Sequence, residues 1–324
     1  MRILIWHVHG AWTTAFVHGP HDYVVPVLPD RGPDGRGRAQ TYAWPDPVRE
    51  VPPEALADEP FDVVVLQRPD EEELAERWLG GRRPGRDVPA VYVEHNAPQG
   101  RIAEMRHPMA GRDDLLLVHV THFNDLFWDA GGTPTRVIEH GIVDPGERYT
   151  GELPRAAAVV NEARRRGRVT GTDLLERFAA VAPIDMFGID AENASPVVEA
   201  SGDLPHARLH DEMARRRVYL HPIRWTSLGL SLLEAMQMAM PVVALGTTEV
   251  REAVPPAAGA VSTDVDALTR ALARLVADPD EARERGRAAR AAALGRYGLE
   301  RFLADWDALM REWCGAPRRE EATA

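Results

Sequence analysis

His221-Pro-Ile-Arg-Trp-Thr-Ser-Leu-Gly-Leu-Ser-Leu-Leu-Glu-Ala-Met236 is the stretch whose reading decides the fold. Val218–His221 ends as a buried strand would. Gly229 punctuates a turn, and the apolar run that follows opens a helix, expected over Leu228–Met238. Strand, short turn and helix are the repeating unit of a doubly wound parallel sheet, which binds ligands beyond the carboxyl ends of its strands. A helix start leaves its first amides unpaired and partly positive. Leu228, Gly229 and Leu230 are therefore candidate contacts for a diphosphate, with Gly229 letting the anion approach the backbone. Glu234 lies about a turn and a half further on, where its carboxylate could accept hydrogen bonds from two ribose hydroxyls. Thr226 and Ser227 suit a helix N-cap and join the donor-side candidates.

Working outward, short Val-rich runs with turn chemistry between them recur on both sides. Arg2–Val8, Tyr23–Val27, Asp62–Gln67, Ala90–Val93, Leu115–Val120 and Arg136–Ile138 are expected strands of a first series. Ala156–Val160, Ile184–Phe187, Val218–His221, Pro241–Leu245 and Ala260–Ser262 form a second. Several lack polar alternation, as strands buried on both faces do. Helical patterns separate them, among them Asp70–Leu79, Phe123–Ala130, Gly171–Val181 and His206–Arg216. The expectation is an α/β protein with two Rossmann-like, doubly wound domains. The first covers 1–143 and the second 144–297. A C-terminal helix over 298–316 would pack back on the first domain, and 317–324 reads as a frayed tail. Arg31–Arg38, rich in Gly and Arg, reads as a mobile loop.

Composition narrows the function. The chain has 324 residues, 44% hydrophobic and 27% charged, which is ordinary for a globular protein. A net charge of -12 argues against a nucleic-acid partner. The single Cys excludes an internal disulfide framework and a Cys-based zinc site. No apolar run is long enough for a stable membrane span, and no leader pattern is evident, so a cytoplasmic location is expected. All 38 basic residues are Arg, since the sequence contains no Lys. Pyridoxal phosphate would have no Schiff-base partner, and a P-loop would lack its phosphate-binding Lys. No Gly-x-Gly-x-x-Gly follows the first strand, which disfavours a dinucleotide oxidoreductase.

Pro222-Ile-Arg224-Trp-Thr226-Ser-Leu228-Gly229, then Glu234-Ala-Met236, then Pro241-Val-Val resembles the core motif of the retaining GT-B glycosyltransferases, the large nucleotide-sugar family numbered four. That motif runs Pro-Ser-Arg-x-Glu-Gly-Phe-Gly, then Glu-Ala-Met, then Pro-Val-Val. The resemblance implies a GT-B fold whose two domains face each other across a cleft. It also implies transfer of a sugar from a nucleotide-diphosphate sugar to an acceptor hydroxyl, with retention, no metal and no cofactor beyond the nucleotide-sugar co-substrate. The acceptor could be a glycan, a lipid or a small metabolite. The family's first Glu is Thr226 here, so the uncharged side chain departs from the pattern. Its Lys-Gly on the diphosphate reads Thr170-Gly171, preceded by a basic run from which Arg165, Arg166 and Arg168 are expected to touch phosphate. The resemblance places Gly10 in a loop near the diphosphate and gives His95 a sugar-binding, catalysis-supporting role. His9 joins these as a catalytic candidate. Trp12, Asn96 and His122 are expected on the acceptor side. Two other readings remain open: a non-catalytic nucleotide-sugar binder, and a sugar-nucleotide epimerase of the same fold.

Overall fold

The structure, a computed structural model, describes residues 1–315. The expected tail over 317–324, and the last residue of the expected final helix, lie outside the described residues. The chain divides into two compact units, one of Met1–Gly141 with the segment from Glu300 onward, the other of Ile142–Leu299.

The first unit carries seven strands: β1 (Arg2–Ile5), β2 (Asp22–Pro26), β3 (Arg49–Val51), β4 (Val63–Leu66), β5 (Ala90–Glu94), β6 (Leu116–His119) and β7 (Thr135–Val137). Three of its helices are α1 (Gly10–Phe16), α2 (Glu71–Trp78) and α3 (His122–Phe127). The second unit carries six strands: β8 (Leu153–Val159), β9 (Ile184–Phe187), β10 (Glu199–Gly202), β11 (Arg216–His221), β12 (Val242–Leu245) and β13 (Gly259–Ser262). Its helices are α4 (Ala163–Arg166), α5 (Leu175–Ala179), α6 (His206–Arg215), α7 (Leu230–Gln237), α8 (Val250–Ala253), α9 (Val265–Ala277) and α10 (Pro279–Tyr297). A last helix, α11 (Leu299–Gly315), belongs from Glu300 on to the first unit.

Both sheets are parallel, in the orders β3-β2-β1-β4-β5-β6-β7 and β10-β9-β8-β11-β12-β13. These are doubly wound orders, and each reverses once, between β1 and β4 and between β8 and β11. The inner strands are apolar on both faces; Val63–Leu66 and Val242–Leu245 are wholly buried. The edge strands β3 and β10 escape the sequence reading because they are short and polar, Arg-Glu-Val and Glu-Ala-Ser-Gly, the composition that blunts a sheet edge.

Two local expectations are corrected. Gly10 does not sit in a loop; it is the first residue of α1, whose buried Trp12 and Phe16 stack at 5.0 Å. The helix forms because an i, i+4 aromatic pair finds a core. Trp306 of α11 meets both rings edge-on, at 5.8 Å and 5.0 Å, and Phe302 meets Trp12 at 6.1 Å. Arg31–Arg38 is tied down: the Arg31 guanidinium donates to Glu50 at 2.8 Å, and the Arg38 amide donates to the same carboxylate at 2.7 Å.

Candidate functional site

Ligands of doubly wound sheets bind where the strand order reverses. In the second unit that point lies between β8 and β11. The loops leaving those two strands carry the basic run and the approach to α7. They are joined: the amides of Arg224 and Trp225 donate to Val169 O at 2.9 and 3.2 Å, and Arg224 Nη1 donates to Arg168 O at 2.8 Å. Gly171 makes the join possible. Its φ is +74°, and a Cβ there would lie 1.9 Å from the Pro222 carbonyl oxygen.

Helix α7 starts at Leu230, two residues later than expected, with Gly229 as its N-cap. No side chain caps it. Thr226 and Ser227 therefore do not have the N-cap role expected of them. They lie in the bent approach to α7, Thr226 half-buried and Ser227 buried. Gly229 is also required by packing. Its φ is -71°, open to any residue, but a Cβ would come 2.5 Å from His221 Cε1. The His221 ring packs under the turn, fully buried, and neither nitrogen makes a hydrogen bond among the described residues. Burial lowers its pKa to about 4 and keeps it neutral.

Glu234 lies in the second turn of α7 and is buried. Two imidazoles of α6 hold it. His206 Nε2 is 3.0 Å from Oε1, and His210 Nε2 is 3.4 Å from Oε2. Burial pushes the carboxyl pKa up, but the two imidazoles beside it outweigh burial, leaving the pKa at about 2. Glu234 is thus an ionised acceptor in a buried setting, and a carboxylate has lone pairs left for further donors. The sequence reading missed His206 and His210. Their i, i+4 spacing is visible in the sequence; their meeting with a residue on another helix, 28 and 24 positions on, is not.

The three expected arginines differ. Arg165 pairs with Glu162 at 2.9 Å and Arg168 with Asp173 at 2.9 Å, both at exposed positions. Asp173 also receives Arg224 Nη2 at 2.8 Å. Arg166 is half-buried with no carboxylate partner among the described residues. Desolvation, then repulsion from Arg165, lowers its pKa against a weaker attraction from Glu162. Thr170, at the family's Lys position, is buried and spends its hydroxyl on Gly167 O at 3.0 Å. It shapes the loop.

In the first unit, the tips of β1 and β5 bring two expected residues together. The rings of His9 and His95 lie 4.0 Å apart, and Trp12 meets His95 edge-on at 4.8 Å. Burial lowers the pKa of His9 to about 4 and that of His95 well below its ordinary value. His140 is similarly neutral, at about 3. Trp12 is a correction: with no exposed surface it belongs to the core behind His95 and offers no face to an acceptor. Asn96 is exposed, its carbonyl accepting from Trp128 Nε1 at 2.9 Å, and His122 is exposed at the start of α3. Behind them Glu94 is fixed by His107 Nε2 at 2.9 Å and the Asn96 amide at 2.6 Å.

Residues 189–278 match the family model described as glycosyl transferases group 1. That segment runs from β10 to α9 and contains His206, His210, Gly229 and Glu234. No curated protein matches the sequence. Among solved structures, a sucrose-phosphate synthase from Thermosynechococcus elongatus is 15% identical, with TM-score 0.71 over 98% of this chain and 100% of that one. A glycosyltransferase from Rickettsia africae is 11% identical, with TM-score 0.68 over 98% and 99%. The Anabaena protein HepE in complex with UDP is 13% identical, with TM-score 0.66 over 96% and 100%. At such identities the likeness is one of fold, the two-sheet GT-B architecture. No helix among the described residues is long and apolar enough to cross a membrane.

Proposed function

We propose that the protein is a glycosyltransferase that moves a sugar from a nucleoside-diphosphate sugar to an acceptor hydroxyl, with retention of configuration. The observation that carries the reading is Glu234: a buried, ionised carboxylate in the second turn of a helix whose first turn has no side-chain cap. A diphosphate at that helix start would receive backbone amides and the positive end of the dipole. The attached ribose would donate to Glu234. The family match over 189–278 and the UDP held by the structurally similar HepE support a nucleotide donor.

Glycosyl transfer builds positive charge at the anomeric carbon and negative charge on the departing diphosphate. Stabilising both before reaction is the main task of such a site. On the diphosphate we assign the start of α7 and Arg166, the expected cation left without a carboxylate, in place of a metal clamp. Arg165 and Arg168 would have to leave Glu162 and Asp173 to help. In the first unit, His95 serves the transferred sugar, as the family resemblance implies, with the His9 ring packed against it at a tilt. Both are neutral, so they can offer a hydrogen bond without repelling developing positive charge. Thr226 supplies no charge where the family has Glu, which favours a second reading, a binder of nucleotide sugars without transfer.

The test is a melting-temperature panel of nucleoside diphosphates and nucleotide sugars on the purified chain. One of them should raise the melting temperature by several degrees. Glu234→Gln should weaken that ligand tenfold or more while leaving the far-UV spectrum unchanged. Unchanged affinity in this variant would remove the ribose role from Glu234. Donor consumption with and without acceptor pools then separates transfer from binding alone.

A further inference from the structure

His206 and His210 stand four residues apart at the start of α6, so both rings leave one helix face. Their centroids are 4.0 Å apart. Glu234 reaches them from α7, with the two Nε2 atoms 3.0 and 3.4 Å from its oxygens. All three potential ligand atoms lie within 4.8 Å of one another. His210 and Glu234 are buried, and His206 keeps a solvent-facing edge. One detail does not fit a simple hydrogen-bonded trio. His210 Nε2 is buried and close to a carboxylate oxygen, yet makes no hydrogen bond of acceptable geometry among the described residues.

We propose that His206, His210 and Glu234 form a binding site for a divalent transition-metal ion, held by the two Nε2 atoms and a carboxylate oxygen. Such ions hold imidazole nitrogen and carboxylate oxygen at about 2.0–2.2 Å, which puts neighbouring ligand atoms roughly 3.0–3.4 Å apart. Each nitrogen lies in that range from one oxygen of the carboxylate, His206 Nε2 from Oε1 and His210 Nε2 from Oε2, and with the whole set within 4.8 Å a small side-chain rotation would close it on one ion. Two imidazoles and one carboxylate suit zinc, iron(II), cobalt or manganese rather than magnesium or calcium, which prefer all-oxygen shells. Three protein ligands leave at least one coordination position for water or an anionic ligand. The ion would also give His210 Nε2 the partner it lacks and tie α6 to α7. The site does not depend on the glycosyl-transfer reading, although it shares Glu234 with it.

The experiment uses the full chain after chelator treatment. Cobalt(II) is titrated in and its visible absorption followed; zinc affinity is read by competition with a chromophoric chelator. One equivalent should bind saturably, and cobalt bands of a nitrogen–oxygen site should appear. His206→Ala and His210→Ala should each weaken zinc at least tenfold, and the double variant should lose the bands. His206→Ala is the safer single change because its side chain is 24% exposed; circular dichroism verifies that each variant is folded. Zinc bound no more tightly by the wild type than by the folded double variant would overturn the site. The melting shift with uridine diphosphate is measured on the same chelator-treated protein. A nucleotide shift without metal binding sinks the metal site alone. Metal binding with no shift from any nucleotide upholds the site and counts against the transfer reading.

Discussion

At Gly171 two separate constraints meet. The backbone is left-handed, φ +74°, and the Pro222 carbonyl oxygen occupies the space where a side chain would begin. A non-glycine residue in that region costs about 1 kcal/mol or more from the backbone alone. A Cβ 1.9 Å from a carbonyl oxygen forces main chain to move as well. Gly171→Ala should therefore lower stability by about 2–4 kcal/mol, read as a fall in the urea midpoint. It should also weaken nucleotide binding, because the same displacement separates the basic loop from the approach to α7. Stability unchanged to within a few tenths of a kcal/mol would show that the two loops are not locked at this point. Gly229 differs: its backbone is unstrained, and only the His221 ring excludes a side chain. The sequence shows a glycine at each position. It does not show which one answers to a backbone angle and which to a neighbour's ring, because that depends on residues far along the chain.

Helix α10 gives the corresponding test at the level of elements. Asp278 caps it, accepting from the amides of Asp280 and Glu281 at 3.0 and 2.9 Å, and Pro279 follows as its first residue. Gly286 lies mid-helix, where Ala would normally add about 1 kcal/mol. Here a Cβ would meet the Ala239 carbonyl oxygen at 2.0 Å, just past the end of α7. Gly286→Ala should destabilise by about 1–3 kcal/mol, against propensity, and a rise in melting temperature would refute the close approach. Elements with buried apolar runs were legible: β4 and β12 needed only local pattern. The short polar edges β3 and β10 were not, nor was α1, whose helix depends on an aromatic core completed by α11. The candidate site divides in the same way. Glu234, Gly229 and His95 could be read from motif and strand ends. The pairing of Glu234 with α6, and the burial of Trp12, are products of packing that no local pattern carries.

Over the whole molecule, neutral buried imidazoles dominate the expected response to acid. His9, His95, His119 and His140 lie in the first unit and His221 in the second, all with pKa values depressed by burial. Each takes up a proton near pH 6.5 when unfolded but only at much lower pH when folded. Between these limits the unfolded chain binds more protons, so stability present above about pH 6.5 is lost as pH falls. The slope is at most about 1.4 kcal/mol per pH unit for each ring. Glu71 opposes this in the first unit: burial raises its pKa to about 7, so the folded form there binds the extra proton. One carboxyl against these four rings, with His7 and His21 shifted in the same direction, leaves the first unit the more acid-sensitive. Glu234, held at about 2, adds acid sensitivity to the second unit only below the ordinary Glu range, about pH 4.3. Seven of the eight tryptophans belong to the first unit, Trp225 being the exception, so intrinsic fluorescence reports that unit while far-UV circular dichroism reports both. From pH 7 to pH 4.5 the fluorescence midpoint should fall further than the dichroism midpoint, and His140→Asn should narrow the gap. Midpoints that fall together would mean that the imidazoles of the first unit are not held neutral, and the proposed role of His95 as an uncharged donor beside the sugar would then lose its physical basis.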